Sequence, residues 1–329
     1  MLKIDPEPKL DFDDVFIKPI PTELSSRSEV NLNVSYVTKH SKKVISGLPV
    51  LVANMDKIAT PNMAKTLHRY GIGVCLHKHI DREILIDFFK KPESEYCFVT
   101  HGLKDDLSIL KDIQPQKICL DVANGYMYSF LDYIKSVRCM FPNSIIMAGN
   151  VCTPEGVENI IKAGADIVKC GIAQGGKCDT KNKAGVGYKQ LSVAIECGQA
   201  ANELNALCCS DGGIKKPADI VKCLGGGSHF VMSGSLFFGY KENDTEWIED
   251  MDGKRMLSYG MSSKIANEKF YGGLQEYRTS EGKEEMVNYK GSVIELAQDI
   301  RGGLSSGCTY TNTKNLENLK KNCFFVRNN

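Results

Sequence analysis

The chain has 329 residues and a mass of 36.4 kDa, with 42% hydrophobic and 25% charged residues, which excludes collagen-like and disordered classes. Lys+Arg 41 against Asp+Glu 40 leaves a net charge of +1, so no global field recruits nucleic acid or anionic lipid, and neither is expected as a partner. The thirteen cysteines are odd in number, follow no regular short spacing, and often sit inside apolar runs, as at Cys75, Cys119, Cys170, Cys208 and Cys209. They read as small buried hydrophobes kept reduced, which points to the cytoplasm. Met1 to Asp14 mixes charged and apolar residues, so it is expected to be neither a signal peptide nor an anchor. No run approaches the ~18 apolar residues of a membrane span.

In chain order, short apolar runs rich in β-branched residues occur at Leu48–Ala53, Gly73–His77, Tyr96–His101, Lys117–Ala123, Ser144–Val151, Ile167–Ile172, Ala206–Ser210 and His229–Ser233. Helical spacing lies between them, as at Asn62–Tyr70, Asp81–Phe89, Tyr128–Cys139 and Val157–Ala163. Thr153-Pro154-Glu155 starts the last of these with an N-cap and a proline, and Gly164 ends it. Eight buried strands alternating with helices predict an α/β fold, a closed (β/α)8 or TIM barrel rather than a doubly wound open sheet. From about Tyr240 to Lys290 the periodicity is weak and charges are many, which reads as a lid-like insertion (240–290) after the eighth strand. Helical spacing resumes at Val293–Ile300 and Leu316–Lys321, and the whole of 1–329 reads as one barrel domain.

In a barrel the C-terminal ends of the strands converge on one rim, where active sites are built. Here those ends carry Asn54-Met55-Asp56, His77-Lys78-His79, Asp121, Gly149-Asn150, Gly171, Asp211-Gly212-Gly213 and Ser233-Gly234-Ser235. Cys178 lies in a polar loop after the sixth strand, flanked by glycines and by Lys177 and Lys181. Cations beside a thiol favour the nucleophilic thiolate. An idle surface thiol is the competing reading, and the rim position favours the nucleophile. Glycine-rich turns after the seventh and eighth strands, at Asp211-Gly212-Gly213 and Gly234-Ser235, are either tight turns or a phosphate site with Asp211 accepting from ribose hydroxyls. Gly225-Gly226-Gly227 reads as a helix-to-strand turn. His77 and His79 lack a third metal ligand, so Lys78 between them is better read as meeting an anion or tuning an acid. Asp121 ends a very apolar strand and is either a desolvated, perturbed carboxylate or a cap for the turn at Asn124-Gly125. Glu281, by composition alone, is a solvated charge. Rossmann, Walker and zinc spacings do not occur.

At these residues the chain resembles the IMP dehydrogenase and GMP reductase family, and within it the reductase branch. The resemblance rests on Leu10-Asp-Phe-Asp-Asp-Val, Val52-Ala-Asn-Met-Asp56, His77-Lys-His79, Asp121-Val-Ala-Asn-Gly125, Met147-Ala-Gly-Asn150 and Gly185-Val-Gly-Tyr188. It continues through Ser210-Asp-Gly-Gly213, Tyr259-Gly-Met-Ser-Ser263, Tyr277-Arg278, Ser280-Glu-Gly-Lys283 and Cys308-Thr-Tyr310, all in the expected order. Three features favour the reductase: no regulatory domain between the second and third units, the Asp121-Val122-Ala123 strand end, and a segment after Glu281 too short for the dehydrogenase flap.

The resemblance implies NADPH-dependent reductive deamination of GMP to IMP and ammonia, within purine salvage, with Cys178 forming a covalent thioimidate at purine C2. It implies that Thr180 and Glu281 relay a proton and that Lys78 and Asp121 assist from the nicotinamide side. Substrate contacts would come from Asp211, Gly212, Gly213, Gly234, Ser235, Gly260, Met261, Ser262, Arg278, Thr279, Ser280 and Gly282. Cofactor contacts would come from Lys78, Asp121, Val122, Ala123, Ser306, Gly307, Cys308 and Thr309, with Ser26 and Arg27 reaching from a neighbour in a homotetramer. The loop positions Ala173, Gly175, Cys178 and Lys181 correspond to a monovalent cation (K+) site in relatives. Here Ala173 and Lys181 depart from that pattern, Gly176 replaces a phosphate-binding serine, Lys177 offers a compensating charge, and Asp179 opposes the lysines. Two alternatives follow: an IMP dehydrogenase, and a nucleotide-binding barrel without turnover.

Overall fold

The computed structural model describes residues 4–328; the first three residues of the Met1–Asp14 segment and the last residue of the 1–329 span lie outside it. Eight parallel strands close into a barrel: Val50–Val52, Gly73–Leu76, Cys97–His101, Lys117–Asp121, Ile145–Val151, Ile167–Cys170, Leu207–Asp211 and Phe230–Ser233. Closure occurs where the first strand pairs with both the second and the eighth. The fold is the (β/α)8 barrel expected from the spacing.

Alternation along each strand divides the side chains between two cores, which is why the runs read as continuously apolar. Cys119, Met147 and Cys209 belong to the core that includes the barrel interior. Their neighbours Ile118, Leu120, Ile146, Ala148 and Cys208 pack with the helices at Tyr128–Met140, Pro154–Lys162 and Gln190–Glu203. Thr60, Asp81 and Thr153 each accept a backbone N–H of the helix they precede, fixing where those helices begin. Among the described residues no helix is long and apolar enough to cross a membrane, and all thirteen cysteines are free.

Segment 240–290 is more ordered than its weak helical periodicity suggests. It forms a three-stranded antiparallel sheet (Ile248–Asp250, Gly253–Tyr259, Glu284–Asn288) with a helix at Lys264–Tyr271. Its outer strands Ile248–Asp250 and Glu284–Asn288 are short and largely solvated, so they show no apolar alternation. The helix after it runs from Val293 to Tyr310, well past Ile300. The expected helix at Leu316–Lys321 is a 3-10 turn, Leu316–Asn318, followed by the short helix Leu319–Asn322. Outside the barrel, Val15–Ile17 pairs with Phe325–Arg327, and Val34–Val37 pairs with Val44–Gly47.

One buried carboxylate ties this outer hairpin to the barrel. Asp166, 0% exposed, accepts the backbone amides of His40 (2.7 Å) and Ser41 (3.0 Å) on one oxygen. Its other oxygen takes Ile146 N (3.1 Å) and the Arg138 guanidinium (2.6 Å). Removing such a group strands buried donors and an unpaired cation, at a cost of about 3–5 kcal/mol. Asp166→Ala is therefore expected to lower the urea midpoint by that equivalent; an unchanged midpoint contradicts this account.

Candidate active site

The rim opens into a cleft of about 300 Å3. Its wall includes Cys178, Thr180, Glu281 and Gly282, the turns Asp211-Gly212-Gly213 and Gly234-Ser235, and the strand end Asp121, Val122 and Ala123. Gly260, Met261 and Ser262 complete it from the insertion.

The cysteine loop is knitted to the insertion by backbone pairing. Cys178 and Gly282 form an antiparallel bridge; Lys283 N donates to Lys177 O (2.9 Å) and Asp179 N to Glu281 O (2.6 Å). Pairing at this register sets Glu281 beside the thiol, although 103 residues separate them (281 − 178). Thr180 Oγ1 donates to Glu281 Oε2 at 2.5 Å and lies 3.2 Å from Cys178 Sγ. A hydroxyl has one proton, and Thr180's is on Glu281, so its oxygen is left to accept from the thiol. The three groups form a relay that can take a proton from sulfur and deliver it elsewhere.

Two positions in this loop explain its departure from the expected pattern. Ala173 adopts the left-handed conformation at φ +67, where the resemblance pattern has glycine. Gly176 lies so close to Ser235 that an added Cβ would sit 2.6 Å from the Ser235 hydroxyl, so a serine at this position would require that hydroxyl to turn aside. Below it Gly212, at φ +91, lets the turn approach Gly175 to a distance that an added Cβ would reduce to 2.9 Å.

Several expected residues behave differently. Lys177 does not offer charge to the thiol or to a phosphate: it is buried and pairs with Glu285 over the Phe238 ring. Lys181 is exposed. Lys78 does not line the cleft but forms an ion pair with Asp105 at 3.0 Å; burial opposes the Asp105 charge, but the Gly102 amide and then Lys78 hold its carboxyl below the usual range. Asp121 caps no turn; it faces the Lys169 ammonium at 2.8 Å. Arg278 and Thr279 are exposed and Ser280 bonds to Gly282 O (3.5 Å), so none of the three lines the cleft. Ser26, Arg27 and Ser306–Thr309 lie outside it too, and the 3-10 turn Arg27–Glu29 packs on the Val293–Tyr310 helix. Within that helix the Cys308 side chain is buried, pointing into the core. Gly175, in the cation pattern, accepts from Cys178 N with its carbonyl (2.8 Å).

His77 and His79 instead help dock the insertion. Asp56 accepts from the Tyr259 hydroxyl and from Lys269 Nζ (2.7 Å), and has His77 Nε2 at 3.8 Å. Burial opposes its charge, but those donors outweigh burial and keep its carboxyl below the usual range. His79 stacks on Phe270, centroids 3.8 Å apart, and burial, helped by Lys78 and His77, lowers it to about 4. The sequence marks Asp56 and Asn150 only as rim residues without a role, and it does not single out Lys169 at all. Asn150 donates to Asp211 Oδ2 (2.9 Å) and Gly171 O (2.7 Å), while its buried Oδ1 has no donor.

The Lys177–Glu285 pair is asymmetric, since the lysine side chain is 8% exposed and the glutamate 65%. Losing Glu285 leaves a buried charge alone; losing Lys177 leaves a solvated one. Glu285→Ala should therefore lower the melting temperature more than Lys177→Met, and the reverse order contradicts the pairing.

Residues 99–329 match the IMP dehydrogenase / GMP reductase domain family. The chain is 44% identical to a GMP reductase of Caenorhabditis elegans, covering 99% of this chain and 94% of that one. It is 43% identical to human GMP reductase 2 (99% and 96%) and 44% to rat GMP reductase 1 (99% and 97%). A barrel with this rim, this cysteine loop and similarity along nearly its full length belongs to the IMP dehydrogenase and GMP reductase family.

Proposed function

We propose that this chain is a GMP reductase, an NADPH-dependent oxidoreductase of purine nucleotide salvage that converts GMP to IMP and ammonia. The observation that carries the reading is the contact series Cys178 Sγ–Thr180 Oγ1–Glu281 Oε2, 3.2 and 2.5 Å, inside a cleft of nucleotide size. Similarity to proteins named GMP reductase supports the substrate.

On this reading GMP lies with its phosphate against the turns at Gly212–Gly213 and Gly234–Ser235 and its ribose against Asp211. Cys178 gives its proton through Thr180 to Glu281, and the sulfur attacks purine C2. The C2–S bond forms as the C2–N bond breaks, its electron pair leaving on the amine. Glu281 returns the proton through Thr180, so that the amine departs as ammonia rather than amide anion. Splitting the substitution through a covalent sulfur adduct replaces one difficult step with two easier ones.

The residues present fit a nicotinamide nucleotide. Asp121, Val122 and Ala123 line the same cleft as the phosphate turns, and the buried Asn150 Oδ1, an acceptor with no donor, suits the amide and hydroxyl donors such a cofactor carries. When bound, the reduced nicotinamide supplies a hydride to C2, reducing that carbon while the C2–S electron pair returns to Cys178. The protein's part is to hold the purine over the sulfur and to keep the proton on the relay. Ser26, Arg27 and Ser306–Thr309 lie away from this chain's own cleft, which suits contacts to the cofactor of an adjacent subunit in a homotetramer. A role for Lys78 on the cofactor side rests on the resemblance alone, and a K+ ion at the cysteine loop is not part of this reading. The compartment that suits thirteen free cysteines is the reducing cytoplasm.

The test is absorbance of NADPH with GMP. Wild type should consume cofactor; Cys178→Ala should lose on the order of a thousandfold or more, and Glu281→Gln roughly 10²–10⁴-fold. NADH production from IMP in place of this reaction identifies a dehydrogenase. GMP binding with no cofactor consumption identifies a binding barrel.

A further inference from the structure

Lys169 sits where the sixth barrel strand turns its side chain inward, and it is 3% exposed. Its ammonium lies 2.8 Å from Asp121 Oδ1 and 2.5 Å from Asp211 Oδ2. The groups that face it from the surrounding strands are Asp121 and Cys119 from the fourth, Asp211 and Cys209 from the seventh and Cys75 from the second. All three thiols are buried, and burial drives those of Cys75 and Cys209 far up, so those two stay neutral and offer no countercharge. Burial alone would lower Lys169, yet the charges of Asp121 and Asp211 outweigh it and hold the ammonium protonated. Asn150 Nδ2 adds a second donor to the same Asp211 oxygen, at 2.9 Å.

We propose that Lys169 is the positioning residue of the cleft: one buried ammonium clamps a single oxygen of Asp121 and a single oxygen of Asp211. The second oxygen of each carboxylate is thereby left for a ligand, Asp211 for the nucleotide ribose and Asp121 for the cofactor side. The two half-sites are then held in register by one charge. This rests on the nucleotide reading above for the identity of the ligands, but the clamp itself does not require them.

Lysine and methionine have similar length and volume, so a lysine that merely filled space would tolerate Lys169→Met. A clamp would not. Without the cation, two neighbouring carboxylates repel in a poorly solvated place, and one of them takes up a proton more readily than it does in the unfolded chain. A carboxyl raised in the folded state contributes stability below its unfolded value and loses it as pH rises through the folded value. The ligand-free melting temperature of Lys169→Met should therefore fall relative to wild type as pH rises from about 4, the unfolded carboxylate value, to 8.5.

In parallel, calorimetric titration with GMP should show Lys169→Met binding at least about tenfold more weakly than wild type at pH 8.5, with part of the loss recovered at about pH 4.5. Lys169→Arg, which keeps the charge, should stay within about threefold of wild type at both values. Where the methionine variant does not fold, Lys169→Gln takes its place in both measurements. Equal behaviour of Lys169→Met and wild type, or a loss that does not change with pH, overturns the clamp. A wild type that fails to bind GMP overturns the nucleotide reading, while the ligand-free melting series still decides the role of Lys169.

Discussion

The site depends on one piece of backbone pairing, in which the cysteine loop serves as an extra strand beside the insertion. Cys178 opposite Gly282, with hydrogen bonds from Lys283 to Lys177 and from Asp179 to Glu281, leaves little freedom in how the thiol meets the acid. The barrel positions the loop, and the insertion supplies Glu281. Neither half carries the relay alone. A hydroxyl between sulfur and carboxylate is useful only if both distances are short together, and paired strands hold that geometry better than two free loops.

The insertion must itself be held, and buried polar groups do this. Asp56 from the first barrel loop binds Tyr259 and Lys269, and Met261 Sδ accepts from Asp56 N at 3.3 Å. His79 stacks under Phe270, and Glu285 reaches back to the buried Lys177. These contacts join the cover to the rim at several separate points. Within the altered loop Ala173 adopts a left-handed conformation, and Gly176 lies against the Ser235 hydroxyl.

Barrel strands were legible because each is buried on both faces and so reads as a short apolar run; all eight lie at the expected positions, differing only at their ends. Rim residues were legible as glycines and polar groups following those runs, and Cys178, Thr180, Asp211 and Ser235 do share a cleft. The sheet of the insertion was not legible, since its strands Ile248–Asp250 and Glu284–Asn288 expose most of their side chains and draw support from partners distant in sequence. Lys169 was hidden for the opposite reason. A single lysine inside the apolar run Ile167–Cys170 gives no local hint that two aspartates, on other strands, will close around it. Lys177 misled because adjacency in sequence to the cysteine says nothing of Glu285, which captures its charge.

Covalent chemistry at one sulfur is the centre of this account, and mass spectrometry of the acid-quenched protein after mixing with GMP tests it most directly. The account predicts an adduct equal to GMP less ammonia on the peptide containing Cys178, absent when Glu281 is replaced by glutamine or formed far more slowly. Cofactor consumption with that peptide unmodified throughout, or with the adduct on any other cysteine, would contradict it.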